Sequence, residues 1–165
     1  MKLKSVKHTI VMFLVNNLFA GAYLFEVKRR LLNSIGYSLG EGTKVVGPVF
    51  CTGQLKTGCN CWLGRNFTIH GTGTVEIGDH CDIAPDVTFL TGRQESPEEN
   101  AGESRNYSIF VEEGCWIGAG CTVVRNVSIG KGSMVTAGSC VMRNMQDNIL
   151  LGGVPARLIK KLDEV

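Results

Sequence analysis

A six-residue period runs through most of this chain, and it limits the possible folds more than any other feature. Stepping by six from Val45 gives Val45, Cys51, Thr57, Leu63 and Ile69; after two extra residues the count resumes at Ile77, Ile83 and Phe89. After a longer interruption it runs through Val111, Ile117, Val123, Ile129, Val135 and Val141. Twelve of these fourteen positions are aliphatic or phenylalanine, so the period is not incidental. A second phase, four residues further on, reads Val49, Leu55, Cys61, Phe67, Gly73, Cys81, Val87, Arg93, Cys115, Cys121, Val127, Ser133, Ser139 and Met145. It is apolar or small except at Arg93.

A period of six is not helical, and plain strand alternation would not confine branched side chains to one position and small ones to another. It fits short flat strands joined by tight corners, three to a coil, with branched residues stacked along the interior. Fourteen hexads make between four and five coils. Glycine, 21 of 165 residues, is about twice its ordinary share of roughly 7%, and there is no collagen period to absorb it. Gly64, Gly78, Gly118, Gly130 and Gly132, with Asn66, Asp79, Asn126 and Asn144, fall outside the inward positions, where corners need residues tolerant of unusual backbone angles. The expected fold is therefore an all-β solenoid in which each coil bonds only to its neighbours and both ends need covering.

The ends supply covers. Residues 1–40 carry an interrupted apolar pattern, Ile10 to Val15 and then Tyr23 to Leu32, which predicts a helical cap. Residues 41–154 form the coils, with a loop inserted over 92–108. Pro155, suited to a first helical position, is expected to open a short helix over 155–165. The loop follows from counting: Phe89 to Val111 spans 22 residues where three hexads use 18, and the excess is polar. A long insertion in a regular array is more often functional than decorative.

Composition excludes several classes. A formal charge of +2 does not describe a nucleic-acid groove, and 19% charged with 44% hydrophobic residues excludes a disordered chain. Seven cysteines, an odd number without framework spacing, indicate a reducing compartment, hence the cytoplasm. Cys59 and Cys61 lack the spacing of a zinc or redox pair, so no metal is expected. Cys61, Cys81, Cys115 and Cys121 fall at the small inward position, where a thiol serves as a compact hydrophobe. The amino-terminal run after Lys2, Lys4 and Lys7 is shorter than a membrane span, which leaves a peripheral membrane contact open.

With Ile77-Gly78-Asp79, Ile83-Ala84-Pro85, Thr91-Gly92, Gly114-Cys115-Trp116-Ile117-Gly118-Ala119 and Gly152-Gly153-Val154-Pro155-Ala156, the chain resembles the hexapeptide-repeat acyltransferases from about Lys28 to Leu162. Within them it is similar to the maltose- and galactoside-type and polysaccharide-biosynthesis O-acetyltransferases. The resemblance implies a left-handed parallel β-helix, a homotrimer, acetyl-CoA in a cleft between subunits and a sugar or glycan acceptor under the inserted loop. It also implies that Trp116, Gly118, Ala119, Ala137 and Pro155 line the cofactor cleft, and that Asp82 and Arg93 meet the acceptor.

Transfer to a hydroxyl needs a group that accepts a proton near neutral pH, for which histidine is best suited. The relatives carry one just after Thr-Gly-x; here that position is Gln94, whose amide can position a hydroxyl but has no useful basicity. The loop also departs in being about two residues shorter, with Glu99-Asn100 where relatives tend to carry paired arginines. Three histidines exist. His8 lies in the helical segment and His80 at a corner, whereas His70 follows Ile69 one coil before Gln94 and matches an asparagine that lines the acceptor site in galactoside-type relatives. The candidate catalytic residues are therefore His70, Gln94 and Glu95, the last needing a pKa raised by burial. Two readings follow: an O-acyltransferase, or a catalytically degenerate trimeric scaffold that keeps only the shape or the ligand.

Overall fold

The computed structural model describes residues 2–92 and 107–162. The coils form a left-handed, three-sided parallel β-helix with one short strand per side in each turn. The first side stacks β1 (Ser38–Leu39), β4 (Gln54–Thr57), β7 (Thr74–Ile77), β10 (Ser108–Val111) and β13 (Ser128–Ile129). The second stacks β2 (Lys44–Val45), β5 (Trp62–Leu63), β8 (Asp82–Ile83), β11 (Trp116–Ile117), β14 (Met134–Val135) and β16 (Ile149–Gly153). The third stacks β3 (Val49–Cys51), β6 (Phe67–His70), β9 (Thr88–Leu90), β12 (Thr122–Val124) and β15 (Cys140–Val141). These are five full turns and part of a sixth, more than the hexad count gives, because Leu39, six residues before Val45, and Leu151 on β16 are buried strand residues as well.

The interior is the predicted stack. Val45, Leu63, Ile83, Ile117, Val135 and Leu151 are all fully buried on the second side, and Ile69 pairs with Phe89 in register on the third. Each such side chain removed from water contributes roughly 1.5–3 kcal/mol. Gly73 does not take the small inward place the count assigned it. The two extra residues lie before β7, so Val75 turns inward and Gly73 forms the corner. The glycines at 64, 78, 118 and 130 are also explained differently from expectation, by the closeness of neighbouring coils rather than by unusual angles. A Cβ on Gly118 would lie 2.5 Å from the Ala137 nitrogen.

The buried cysteines do more than fill space. Thr43, Cys61, Cys81, Cys115 and Ser133 occupy one inward column, and each donates to a corner carbonyl of the next coil: Gly58, Gly78, Glu112, Gly130 and Gln146, at 2.8–3.1 Å. The neighbouring Cys115 thiol and burial together push Cys81 up to about 12, which keeps it a protonated donor. No buried side-chain nitrogen or oxygen among the described residues is left without a partner.

The amino-terminal cap consists of α1 (Lys2–Phe13), a π-helical turn (Leu14–Leu18) and α2 (Phe25–Asn33). Its side chains close the open edges of the first coil. Asn16 exchanges two hydrogen bonds with the backbone of Val49 on β3, 2.8 and 2.9 Å long. Asn33 does the same with Leu39 on β1, at 3.0 and 2.8 Å. Lys28, wholly buried, donates to the carbonyls of Gly21 and Val46 at 2.6 and 3.0 Å. An open edge of strand donors and acceptors is thereby satisfied without another strand. No described helix is long and apolar enough to cross a membrane.

At the other end, the expected helix from Pro155 is not formed. Residues Ala156–Lys161 make strand β17, which pairs antiparallel with β16, Gly153 facing Ala156. The physical reason lies in β16: a sixth-turn strand at the end of the stack would expose its backbone to solvent, and a returning strand satisfies it where a helix could not.

Candidate functional site

The five residues expected along the cofactor cleft gather on one edge of the helix. Trp116 points outward from β11, 38% exposed, between Asp82 on one neighbouring strand and Met134 on the other. The chain then turns from the second side to the third through Gly118, Ala119 and Gly120. Gly118 is buried and its N–H donates to Val135 at 2.8 Å, drawing the fourth and fifth coils together. Ala119 and Ala137 lie exposed at successive turns of this edge, joined by a bond from Gly138 N–H to the Ala119 carbonyl, 2.8 Å. Pro155 follows β16 at the next turn, where the Gly153 N–H donates to the Ser139 hydroxyl at 3.1 Å. The result is a track of small side chains and accessible backbone that begins beside an indole and leads toward the carboxyl end.

His70 ends β6 on the third side and is exposed, with Leu90 its neighbour in register. Its backbone is tightly held. Thr91, buried, donates to the His70 carbonyl through both its amide, at 2.8 Å, and its hydroxyl, at 3.0 Å. The same hydroxyl accepts from Gly73 at 3.2 Å. Gly71 and Gly92 almost touch, since a Cβ on Gly71 would sit 2.2 Å from the Gly92 nitrogen. His70 thus marks the corner from which the inserted loop leaves. Arg93, Gln94 and Glu95 lie outside the described residues.

The two groups of candidates do not meet within one chain. His70 belongs to the edge between the third and first sides, whereas Trp116 and Asp82 face outward from the second side, across the prism. Asp82 shares its face with Trp116, and partial loss of hydration raises its carboxyl above the usual range. His8 is exposed on α1, and His80 is exposed at a corner with a left-handed backbone, φ 56°.

Three residues were not singled out from the sequence: Lys44, Trp62 and, as a site residue, His80. Lys44 and Trp62 extend the Asp82–Trp116 column toward the amino end, in register across β2, β5 and β8. The signal was available, because residues 44, 62, 82, 116 and 134 each precede a buried aliphatic by one and so form the outward column of that side. Among the described residues there is no group of three or more potential metal ligands.

No family model matches the chain. It is 34% identical over 149 residues to the galactoside O-acetyltransferase of Escherichia coli strain K12, covering 84% of this chain and 71% of that protein. Among solved structures, a galactoside acetyltransferase in complex with coenzyme A superimposes with a TM-score of 0.78 at 26% identity, over 98% of this chain and 82% of that one. A hexapeptide-repeat acetyltransferase from Vibrio cholerae O1 biovar eltor, complexed with acetyl coenzyme A, shares the fold with a TM-score of 0.81 at 24% identity, over 99% and 89%. Repeat, coil geometry and kinship agree, and the chain belongs to the hexapeptide-repeat acyltransferases, the family of the galactoside O-acetyltransferases.

Proposed function

We propose that the protein moves an acetyl group from acetyl-CoA to a hydroxyl of a sugar or glycan. The observation that carries this reading is the small-residue edge from Gly118 through Ala119 and Ala137 to Pro155, which starts at Trp116 and offers a thin acyl-CoA arm close approach to backbone. Related proteins are named for galactoside acetylation and are seen with coenzyme A, which supports the donor and the acceptor class. In the reaction the acceptor oxygen bonds to the acetyl carbonyl carbon, its proton passes to a base, and the carbon–sulfur bond breaks to release CoA, which takes up a proton. His70 is the base in this reading, with Gln94 orienting the acceptor hydroxyl, Glu95 a second candidate base and Arg93 meeting the acceptor.

His70 and Trp116 occupy opposite parts of one prism, so a reaction centre that uses both is built from two chains. A homotrimer supplies this, each cleft lying between the Trp116 face of one subunit and the His70 edge of the next. We place the protein in the cytoplasm, where acetyl-CoA and free thiols coexist. The test is acetyl-CoA turnover across a sugar panel for the natural chain, His70→Ala and Gln94→His. The reading requires turnover by the natural chain and its loss, about 10²- to 10⁴-fold, in His70→Ala. Turnover only after Gln94→His would replace it with the degenerate scaffold. Sedimentation equilibrium checks the trimer.

A further inference from the structure

Sheet register stacks Lys44, Trp62, Asp82 and Trp116 in one outward column, and this column has a direction. From Trp116 toward the carboxyl end run the small residues of the cofactor edge. From Trp116 toward the amino end the surface changes character and becomes aromatic and charged. A groove of about 260 Å³ lies there, lined by Lys44, Asn60, Trp62, His80 and Asp82 among others.

The polar groups of these side chains are left unpaired by the protein itself. Among the described residues, the side chains of Lys44, Asn60, His80 and Asp82 and the Trp62 indole N–H make no hydrogen bond or ion pair. Trp62 is fixed all the same, because the ring of Phe25 on α2 packs against it at 5.7 Å with the planes tilted by 57°. Asp82 lies between two indoles and has lost part of its hydration without gaining a protein partner. An indole face suits the C–H face of a pyranose, and an unpaired carboxylate, ammonium and amide suit its hydroxyls. A site whose polar groups wait unpaired discriminates strongly for ligands that pair them.

We propose that the groove between Trp62 and Asp82 is a second sugar subsite, so that the acceptor is an oligosaccharide or glycan chain. Its acetylated unit lies near Trp116 and its next unit lies on Trp62. The column spacing supports this extent, since two coil rises separate the indoles, about 10 Å and more than one pyranose ring spans. The proposal rests on the reading of the protein as a sugar O-acetyltransferase and goes beyond it in naming the acceptor's length and the residues that measure it.

The experiment compares methyl β-galactoside and methyl α-glucoside with lactose, maltotriose and a galactan tetrasaccharide. Binding is first titrated without donor, by tryptophan fluorescence and calorimetry, and acetyl transfer from acetyl-CoA is then measured on the same panel. At least one oligosaccharide is expected to bind about tenfold or more tightly than its methyl glycoside. Asp82→Asn and Lys44→Met, which leave the Phe25 contact intact, are expected to cut that advantage toward unity, as is Trp62→Ala provided its melting temperature is retained. An advantage unchanged in these variants, or no oligosaccharide preferred by the natural chain, overturns the subsite. The donor-free titration separates the two readings. Oligosaccharide preference without acetyl transfer sinks the enzymatic reading and keeps the subsite, whereas acetyl transfer without length preference does the reverse.

Discussion

Thr91 binds the carbonyl of His70 twice, through its amide at 2.8 Å and its hydroxyl at 3.0 Å, and that hydroxyl also accepts from Gly73. One buried side chain therefore fixes the end of β6, the start of the inserted loop and the corner between them. Thr91→Val keeps the shape and removes the hydroxyl, leaving the Gly73 N–H without its acceptor. We expect a loss of about 1–3 kcal/mol in denaturant unfolding. Acetyl transfer should fall more steeply in Thr91→Val than in Thr91→Ser, which preserves both bonds. Equal melting temperatures and rates for the two variants would show that the hydroxyl holds nothing.

Lys28 gives a pH-dependent prediction. Loss of hydration on burial pushes its pKa down to about 8 from an ordinary 10.5, even though two carbonyls and the Tyr23 and Phe25 rings face the ammonium. The one acidic residue of α2, Glu26, is engaged with Arg29 and Arg30 and does not pair with it. Between pH 8 and 10.5 the unfolded chain thus holds a proton on Lys28 that the folded chain has released, so stability attributable to this residue rises with pH across that window. Below pH 8 both states are protonated and the contribution is flat. The unfolding free energy of the natural chain minus that of Lys28→Met, both from chemical denaturation, should rise by on the order of 1–3 kcal/mol from pH 8 to 10.5. A signed difference, natural minus variant, that stays constant or falls contradicts the burial argument.

How much of this was legible depends on what kind of interaction decides each residue. The interior was readable because Ile117, Val123 and Ile129 obey a period that only a three-sided coil imposes, and all three are fully buried. The cap was readable as a helical segment, but Asn16 was legible only as a break in an apolar run. Its task, pairing with Val49, depends on which strand edge the helix happens to meet. The strand at Ala156–Lys161 was missed for the same reason, since Pro155 signals a helix start locally while the exposed edge of β16 is a property of the finished stack. In the candidate site, Trp116 and the Gly118–Ala119 corner were chosen on motif, whereas Lys44 and Trp62 have no motif and come into view only through register across coils.

The inward column of donors makes a sharp distinction between substitutions of similar size. Cys81 donates to the carbonyl of Glu112 at 3.0 Å, as Ser133 donates to Gln146 at 2.8 Å. Cys81→Ser should therefore keep the bond and cost little, while Cys81→Val removes a donor from a buried carbonyl and should cost about 1–3 kcal/mol. Chemical denaturation of both variants decides the matter, and a valine variant as stable as the serine one would reduce the thiol to packing. Ellman's reagent gives an independent check, since Cys61, Cys81, Cys115 and Cys121 are buried and should react only on unfolding.

The amino-terminal cap has two faces. Val11 and Val15 are buried against the first coil, and Val6, Ile10 and Phe13, which lie on the opposite side of α1, are 54–62% exposed. Residues 1–40 contain six lysines and arginines, five of them besides the buried Lys28, against one acidic residue, while the remaining 125 residues have eleven against fourteen. An apolar helical stripe beside concentrated positive charge matches an anionic lipid surface, where burial of the stripe and attraction to headgroups act together. We expect the protein to float with vesicles of mixed phosphatidylglycerol and phosphatidylcholine, to dissociate as salt is raised, and to ignore vesicles of phosphatidylcholine alone. Ile10→Glu with Phe13→Glu should abolish flotation while leaving the melting temperature of the coils in place. If that double variant instead changes only the sedimentation behaviour of the free protein, the stripe serves contact between copies of the chain and not a membrane.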